Sequence, residues 1–217
     1  MALTPVRRIR PSSRSITGKR PSQKTQTIQR FESTLERDYI TLLEFDPTIE
    51  DYGMQPVTIP YVHEGKACRY TPDALVYYKP EAGKKPLLVE IKYAAELQEK
   101  KDYLEPKFNA ATAYACANGL EFRVFTEVDI RTCYLRNIKF LSWYHHGPVD
   151  DSYSKIITAE LTKTIPATPQ GLLTSSTEAE NATLLYTVWQ MLARKMISCD
   201  MHQTLSMTST LWNNPTK

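Results

Sequence analysis

The sequence predicts an α/β protein: a mixed sheet flanked by helices, followed by a small C-terminal winged-helix-like module. Three observations carry this expectation. A helical apolar period precedes residue 46, short β-rich segments surround one long helical stretch between residues 55 and 126, and the chain changes character after Pro148. With 217 residues and 41% hydrophobic content, it can bury one core of moderate size, or one core plus a small second module.

The elements follow in order. Phe31, Leu35, Tyr39, Leu42 and Leu43 recur at helical spacing over residues 31–45, and Asp46-Pro47 ends that helix. Residues 55–61 and 69–78 read as strands rich in Val, Ile, Thr and Tyr, and a polar turn at 79–86, with Gly83 and two prolines, leads into a third strand at 87–92. A helical segment at 94–118 is closed by Gly119 as its C-cap, with a break expected near Leu104 because Pro106 cannot donate within a helix. Residues 120–126 form a fourth strand, and Thr126 with Asp129 starts another helix. The α/β core spans about residues 31–147 on this reading. Beyond it, residues 152–163 and 178–195 are helical, and the runs at 196–201 and 204–212 suggest a wing-like hairpin, giving a second module at 148–217. Trp143, Trp189 and Trp212 are assigned to cores, as is the helix face of Leu184, Leu185, Val188, Met191 and Leu192.

Charge is unevenly placed. The net formal charge is only +3, yet residues 1–30 carry eight basic side chains and no acid, leaving 19 basic against 24 acidic groups in the remainder. This segment is rich in Ser, Thr, Pro and Gln, so it is expected to be disordered when free. Arg7, Arg8, Arg10, Arg14, Lys19, Arg20 and Lys24 are candidate contacts to nucleic-acid phosphates, where affinity comes from counterion release without reading of sequence. A solvated leader that binds nothing is the competing reading. Lys100, Lys101 and Lys107 are assigned to a hydrated helix face.

Other classes are excluded more easily. No run of about 20 apolar residues suits a membrane span and no apolar leader is present, so the expected location is cytoplasmic. Cys68, Cys116, Cys133 and Cys199 form no CxxC pair and the four histidines complete no zinc spacing.

The chemistry gathers on the strand Leu88-Val89-Glu90-Ile91-Lys92. Alternation puts Glu90 and Lys92 on one face. If the strand before it pairs as a hairpin through the 79–86 turn, Asp73 arrives at the same end. Two carboxylates can hold a hard divalent cation, while a nearby lysine orients or deprotonates water and neutralises developing charge. These are the needs of phosphodiester hydrolysis.

Pro72-Asp73, sixteen intervening residues and Glu90-Ile91-Lys92 resemble the PD-(D/E)xK signature of nucleases. The surrounding pieces, the helix from Glu32 to Tyr39, the run from Tyr70 to Val76, the strand at 88–92 and the segment from Thr126 to Arg131, resemble the TnsA endonucleases of heteromeric bacterial transposases. That resemblance implies a restriction-endonuclease-like fold, a catalytic set of Glu36, Asp73, Glu90 and Lys92, and metal ligation by Glu36, Asp73 and Glu90. It also implies variation at the position of Glu90, where some members carry glutamine, and a main-chain ligand that Ile91 would supply. The implied cofactor is Mg2+, with Mn2+ as a substitute. The implied activity is cleavage of double-stranded DNA at the 5′ ends of a transposon during cut-and-paste transposition in bacteria. A DDE transposase, TnsB, would act at the 3′ ends, and an AAA+ regulator, TnsC, would contact the C-terminal module. Two alternatives differ in what they require. A restriction or repair endonuclease of the same fold would cleave without partners, and a non-catalytic DNA-binding scaffold would tolerate loss of Asp73 or Lys92.

Overall fold

A computed structural model describes residues 16–163, 167–173 and 177–214. The chain forms two compact units divided between Ile130 and Arg131.

The N-terminal unit is built on a four-stranded mixed sheet. Its strands are β3 (Ile49–Met54), β6 (Ala74–Tyr78), β7 (Leu87–Ile91) and β8 (Glu121–Phe125), adjacent in that order. β3 and β7 each run antiparallel to β6, and β8 lies parallel to β7. A parallel neighbour requires a crossover, supplied by helices α2 (Ala94–Glu99) and α3 (Lys101–Ala117). Helix α1 (Thr34–Phe45) precedes the sheet. Phe122 and Phe125, three apart on β8, point to opposite faces. Phe122 meets Phe108 of α3 with ring centres 5.8 Å apart, and Phe125 meets Tyr39 of α1 at 5.4 Å. The two helices therefore cover opposite faces of the sheet, and all five residues of β7 are buried between them.

Several local expectations are borne out by named contacts. Gly119 adopts a left-handed φ of 70°. The Leu120 and Gly119 amides return to the carbonyls of Ala115 and Cys116, closing α3 as a Schellman cap. Asp129 accepts from the Thr126 amide and hydroxyl at 2.8 Å, starting the short α4 (Glu127–Ile130).

Other expectations need correction. The helical stretch breaks at Lys100, not near Leu104, and Pro106 sits inside α3. Asp102, the residue whose carbonyl Pro106 leaves without a partner, is exposed and can be hydrated. The predicted strand at 69–78 is two strands, β5 (Lys66–Tyr70) and β6, because Thr71-Pro72-Asp73 interrupts it and proline has no amide for a ladder. β5 pairs with β4 (Ile59–His63) in a separate two-stranded sheet. β3 lies in a stretch that the sequence leaves unassigned, since Glu50, Asp51 and Gly53 are poor strand formers. It occupies a sheet edge with a register shift between Ile49 and Asp51, yet buries Tyr52 and Met54.

The largest correction concerns the basic N-terminal segment. Arg7, Arg8, Arg10 and Arg14 lie outside the described residues. Gly18–Pro21 (β1) and Ile28–Phe31 (β2), within the segment expected to be disordered, instead pair as an antiparallel hairpin. Composition concealed this because the hairpin is held by polar contacts. Ser22 donates to Glu44 at 2.5 Å, and Gln29 accepts from the Met54 amide at 3.1 Å within the core. Gly18 lies so close beneath the Phe31 ring that a Cβ there would sit 2.4 Å from its Cζ.

The C-terminal unit contains α5 (Cys133–Leu141), α6 (Asp151–Lys163), α7 (Pro169–Leu172), α8 (Glu178–Ala193) and the antiparallel pair β9 (Ile197–Cys199) and β10 (Leu211–Asn213). The division at 130/131 falls earlier than the predicted 147/148 because α5 and the turn after it belong here. Phe140 meets Trp189 edge-on at 5.2 Å. The Gln190 amide donates to the carbonyls of His146 and Pro148. Leu184, Val188, Met191 and Leu192 are buried on α8, as expected, and Leu185 is half-buried. Trp189 is also core. Trp143 and Trp212 are not, being 81% and 43% exposed. Tyr144, not Trp143, packs towards Trp189, and on β10 strand alternation buries Leu211 and turns Trp212 outward. Among the described residues, no helix is long and apolar enough to cross a membrane.

Candidate active site

The site lies where the ends of β6 and β7 meet. Ala74 pairs with Val89, so the antiparallel register brings Asp73 beside Glu90. Asp73 Oδ2 accepts from the Ile91 amide at 2.7 Å, anchoring the carboxylate to the neighbouring strand. Strand alternation then brings the Glu90 and Lys92 side chains together, with Lys92 Nζ 2.7 Å from Glu90 Oε1. The same ammonium donates to the Ile91 carbonyl at 3.2 Å and stands 3.9 Å from Asp73 Oδ2. Its backbone is fixed as well, because the Lys92 amide continues the parallel ladder to Phe125 O at 3.0 Å. Three oxygens from three successive motif positions thus surround one cation.

Exposure grades across the group. The side chains are 4% exposed at Glu90, 13% at Asp73 and 23% at Lys92, so the lysine is the part most open to a ligand. Burial is the main influence pushing the Asp73 carboxyl well above the usual aspartate range, reinforced by Glu90 and opposed by Lys92. Burial also works against a charged Lys92. Asp73 and Glu90 outweigh it, and the ammonium is held above its ordinary value.

Glu36 stands apart from these contacts. It is the third residue of α1, behind the N-cap Ser33, and its carboxylate accepts from the Glu32 amide at 2.8 Å and the Ser33 hydroxyl at 2.9 Å. Ser33 Oγ in turn accepts from the Glu36 amide. This is a reciprocal helix-start arrangement. Burial raises the Glu36 carboxyl above its ordinary value, against those two hydrogen bonds. Glu36 contributes to the field at Asp73 and feels Lys92, while its hydrogen bonds run to its own helix start.

Among the described residues, no three His, Cys, Asp or Glu side chains are gathered closely enough to hold a metal ion. The donor chemistry nevertheless fits a hard divalent cation. Asp73 Oδ2, Glu90 Oε1 and the Ile91 carbonyl are all oxygens already converging on a positive charge.

Tyr70 was missed by sequence reasoning. Its buried hydroxyl donates to Glu90 Oε2 at 2.6 Å, and burial followed by the adjacent Glu90 raises its pKa. The signal was its place three residues before Asp73, but only the break at Pro72 lets both residues reach the same site. The predicted phosphate contacts fare differently from one another. Lys19 is exposed, whereas Arg20 donates to the Thr41 hydroxyl and Lys24 to the carbonyls of Asp46 and Ile49. Those two cations are engaged by the protein itself, and burial lowers the Lys24 pKa.

Residues 46–127 match a family model described as TnsA-like endonuclease N terminal, and residues 129–201 match one described as TnsA endonuclease C terminal. No individual curated protein matches the chain. The first segment contains Asp73, Glu90, Ile91 and Lys92 but begins after Glu36, and the gap between the segments lies within three residues of the division between the two compact units. The chain belongs to the TnsA endonuclease family, which implies nuclease activity and a restriction-endonuclease-like fold.

Proposed function

We propose that this protein is a magnesium-dependent DNA endonuclease that cleaves the 5′ ends of a transposon during cut-and-paste transposition. The observation that carries the reading is the convergence of Asp73 Oδ2, Glu90 Oε1 and the Ile91 carbonyl on Lys92 Nζ, in a chain of this family.

Asp73 and Glu90, with the Ile91 carbonyl, would hold Mg2+, or Mn2+ in its place, and Glu36 would join them as a further carboxylate. Bound there, the ion would lower the pKa of a water and offset charge on the phosphoryl oxygens. Lys92 stands beside two carboxylates, which hold its ammonium above its ordinary value. It would orient or deprotonate the attacking water and neutralise charge developing on the phosphate. Asp73 is fixed by the Ile91 amide and Lys92 by the β8 ladder, so the reacting groups are positioned by the central strand itself.

A DDE transposase (TnsB) would cut the opposite strands, and an AAA+ regulator (TnsC) would engage the C-terminal unit. In that unit, the helix α8 followed by the β9–β10 pair supports a winged-helix-like reading. Arg7, Arg8, Arg10 and Arg14 would contribute phosphate contacts, with Lys19 as the candidate that is exposed on the hairpin. Asp73→Ala should abolish metal-dependent 5′-end cleavage while leaving assembly with the transposase and transposon DNA intact. Unchanged cleavage would reject the site, and cleavage by the purified chain without partners would favour a restriction or repair role.

A further inference from the structure

Glu90 has its two oxygens committed to different partners. Oε1 faces Lys92, the Ile91 carbonyl and Asp73, the side on which a cation would be held. Oε2 takes the Tyr70 hydroxyl at 2.6 Å. Both partners are buried, Glu90 at 3% and Tyr70 at 7% exposure, so water does not readily replace this bond. Tyr70 is itself held in place. It pairs with Ile59 across the β4–β5 sheet and packs in a cluster with Leu75, Leu88, Ala111 and Ala115.

A carboxylate with one oxygen engaged by a buried phenol offers a metal the other oxygen more readily, because the bonded oxygen has one lone pair already used and its direction fixed. Mg2+ takes six oxygens in a tight octahedron and accepts carboxylates through single oxygens, whereas Ca2+ takes six to eight and often takes both oxygens of one carboxylate. We propose that Tyr70 is a positioning residue that confines Glu90 to one-oxygen ligation, and so biases the centre towards a small octahedral cation over a larger one. This rests on the metal-dependent reading above. Tyr70 touches neither substrate nor metal in this role, and acts through Glu90 alone.

The test is calorimetric titration of full-length protein with Mg2+ and with Ca2+, for wild type, Tyr70→Phe, Glu90→Gln and the Tyr70→Phe/Glu90→Gln pair. Tyr70→Phe should shift the ratio of the two dissociation constants towards Ca2+ by about 10-fold, the lower end of the range for losing an outer-shell partner. In the Glu90→Gln background, where the side chain has only one oxygen, the same change should leave the ratio unmoved. An unchanged ratio in Tyr70→Phe, or an equal shift in the Gln background, overturns the proposal while leaving the metal centre standing. Absence of divalent-cation binding by wild type, or binding that survives Asp73→Ala undiminished, instead removes the centre and the proposal with it.

A measurement on the unaltered protein guards against a Tyr70→Phe chain that fails to fold. The Mg2+-induced infrared difference spectrum of wild type, minus that of Glu90→Gln, isolates the Glu90 carboxylate stretches. The wide splitting of one-oxygen ligation is expected, and the narrow splitting of two-oxygen ligation would overturn the role of Tyr70.

Discussion

In the C-terminal unit two buried neutral amides, Asn137 and Gln190, tie loops to helices, whereas in the N-terminal unit carboxylates are buried side by side. Asn137 donates to the carbonyls of Met201 and Gln203 and accepts from the Leu205 amide, and Gln190 holds the carbonyls of His146 and Pro148. Such groups stabilise a fold because each bond is closed within it. Asp73 instead feels the charges of Glu90 and Glu36, and burial raises the Asp73 and Glu36 carboxyls above their ordinary values. A fold does not accumulate such charges for stability. Crowding of this kind is what the proposed cation would relieve, by offsetting the charge of the carboxylates that hold it.

The comparison can be broken most decisively at Lys92. Lys92→Ala should lower cleavage by about 10²–10³-fold, the usual effect of removing one preorganised charge-stabilising group. Cleavage kinetics under saturating metal check this. A change of less than about tenfold would place Lys92 among structural ion pairs.

Asn137→Ala should have the reverse profile. It removes the partner of the carbonyls of half-buried Met201 and exposed Gln203 and of the Leu205 amide, with a cost of about 1–3 kcal/mol for any of them left unsatisfied and unhydrated. Denaturant unfolding followed at Trp189 would report it. Mg2+ binding at the N-terminal unit should remain as in wild type.

Asp73→Asn sharpens the contrast further, because it should abolish cleavage and yet stabilise the fold. The folded-state pKa of Asp73 lies above its unfolded value, so the ionised carboxylate lowers stability at neutral pH. That loss is recovered as pH falls through the folded pKa towards the ordinary value of 3.8. The variant should therefore melt about 2–4 °C higher at pH 7, the shift expected for 1 kcal/mol in a chain of this size. Scanning calorimetry should show the difference shrinking as pH is lowered. A lower melting temperature at pH 7 would mean that the Lys92 contacts outweigh the crowding.

The smallest effect is expected in the N-terminal hairpin. Arg20→Ala removes a partly exposed bond to Thr41 and should cost about 0.5–1.5 kcal/mol. It should speed amide exchange across residues 18–31 without altering cleavage.

What the sequence disclosed follows from what is local. The alternation of Glu90 and Lys92, the Gly119 and Thr126 caps and the apolar face of α8 depend on residues within a few positions of one another, and all are present in the structure. The approach of Asp73 could be counted through the hairpin turn. Tyr70 could not be assigned to Glu90, because its partner is twenty residues away and the intervening chain changes sheets. The hairpin at 18–31 was hidden by its composition, since its anchors are Glu44, Thr41 and the Met54 amide, and apolar periodicity carries no trace of them. Trp143 misled for a related reason. Aromatic character suggests burial, but the turn at 142–144 gives the inward position to Tyr144.

Pro72 has an effect best stated as parity. Along an unbroken strand, Tyr70 and Asp73, three positions apart, would face opposite sides. The interruption between β5 and β6 cancels that alternation, and both side chains arrive at the Glu90–Lys92 cluster. The spacing between the two residues is therefore a geometric constraint in its own right. Adding or removing one residue at 71–72 would alter the irregular link that lets both side chains reach one site, even though every side chain of the motif were retained.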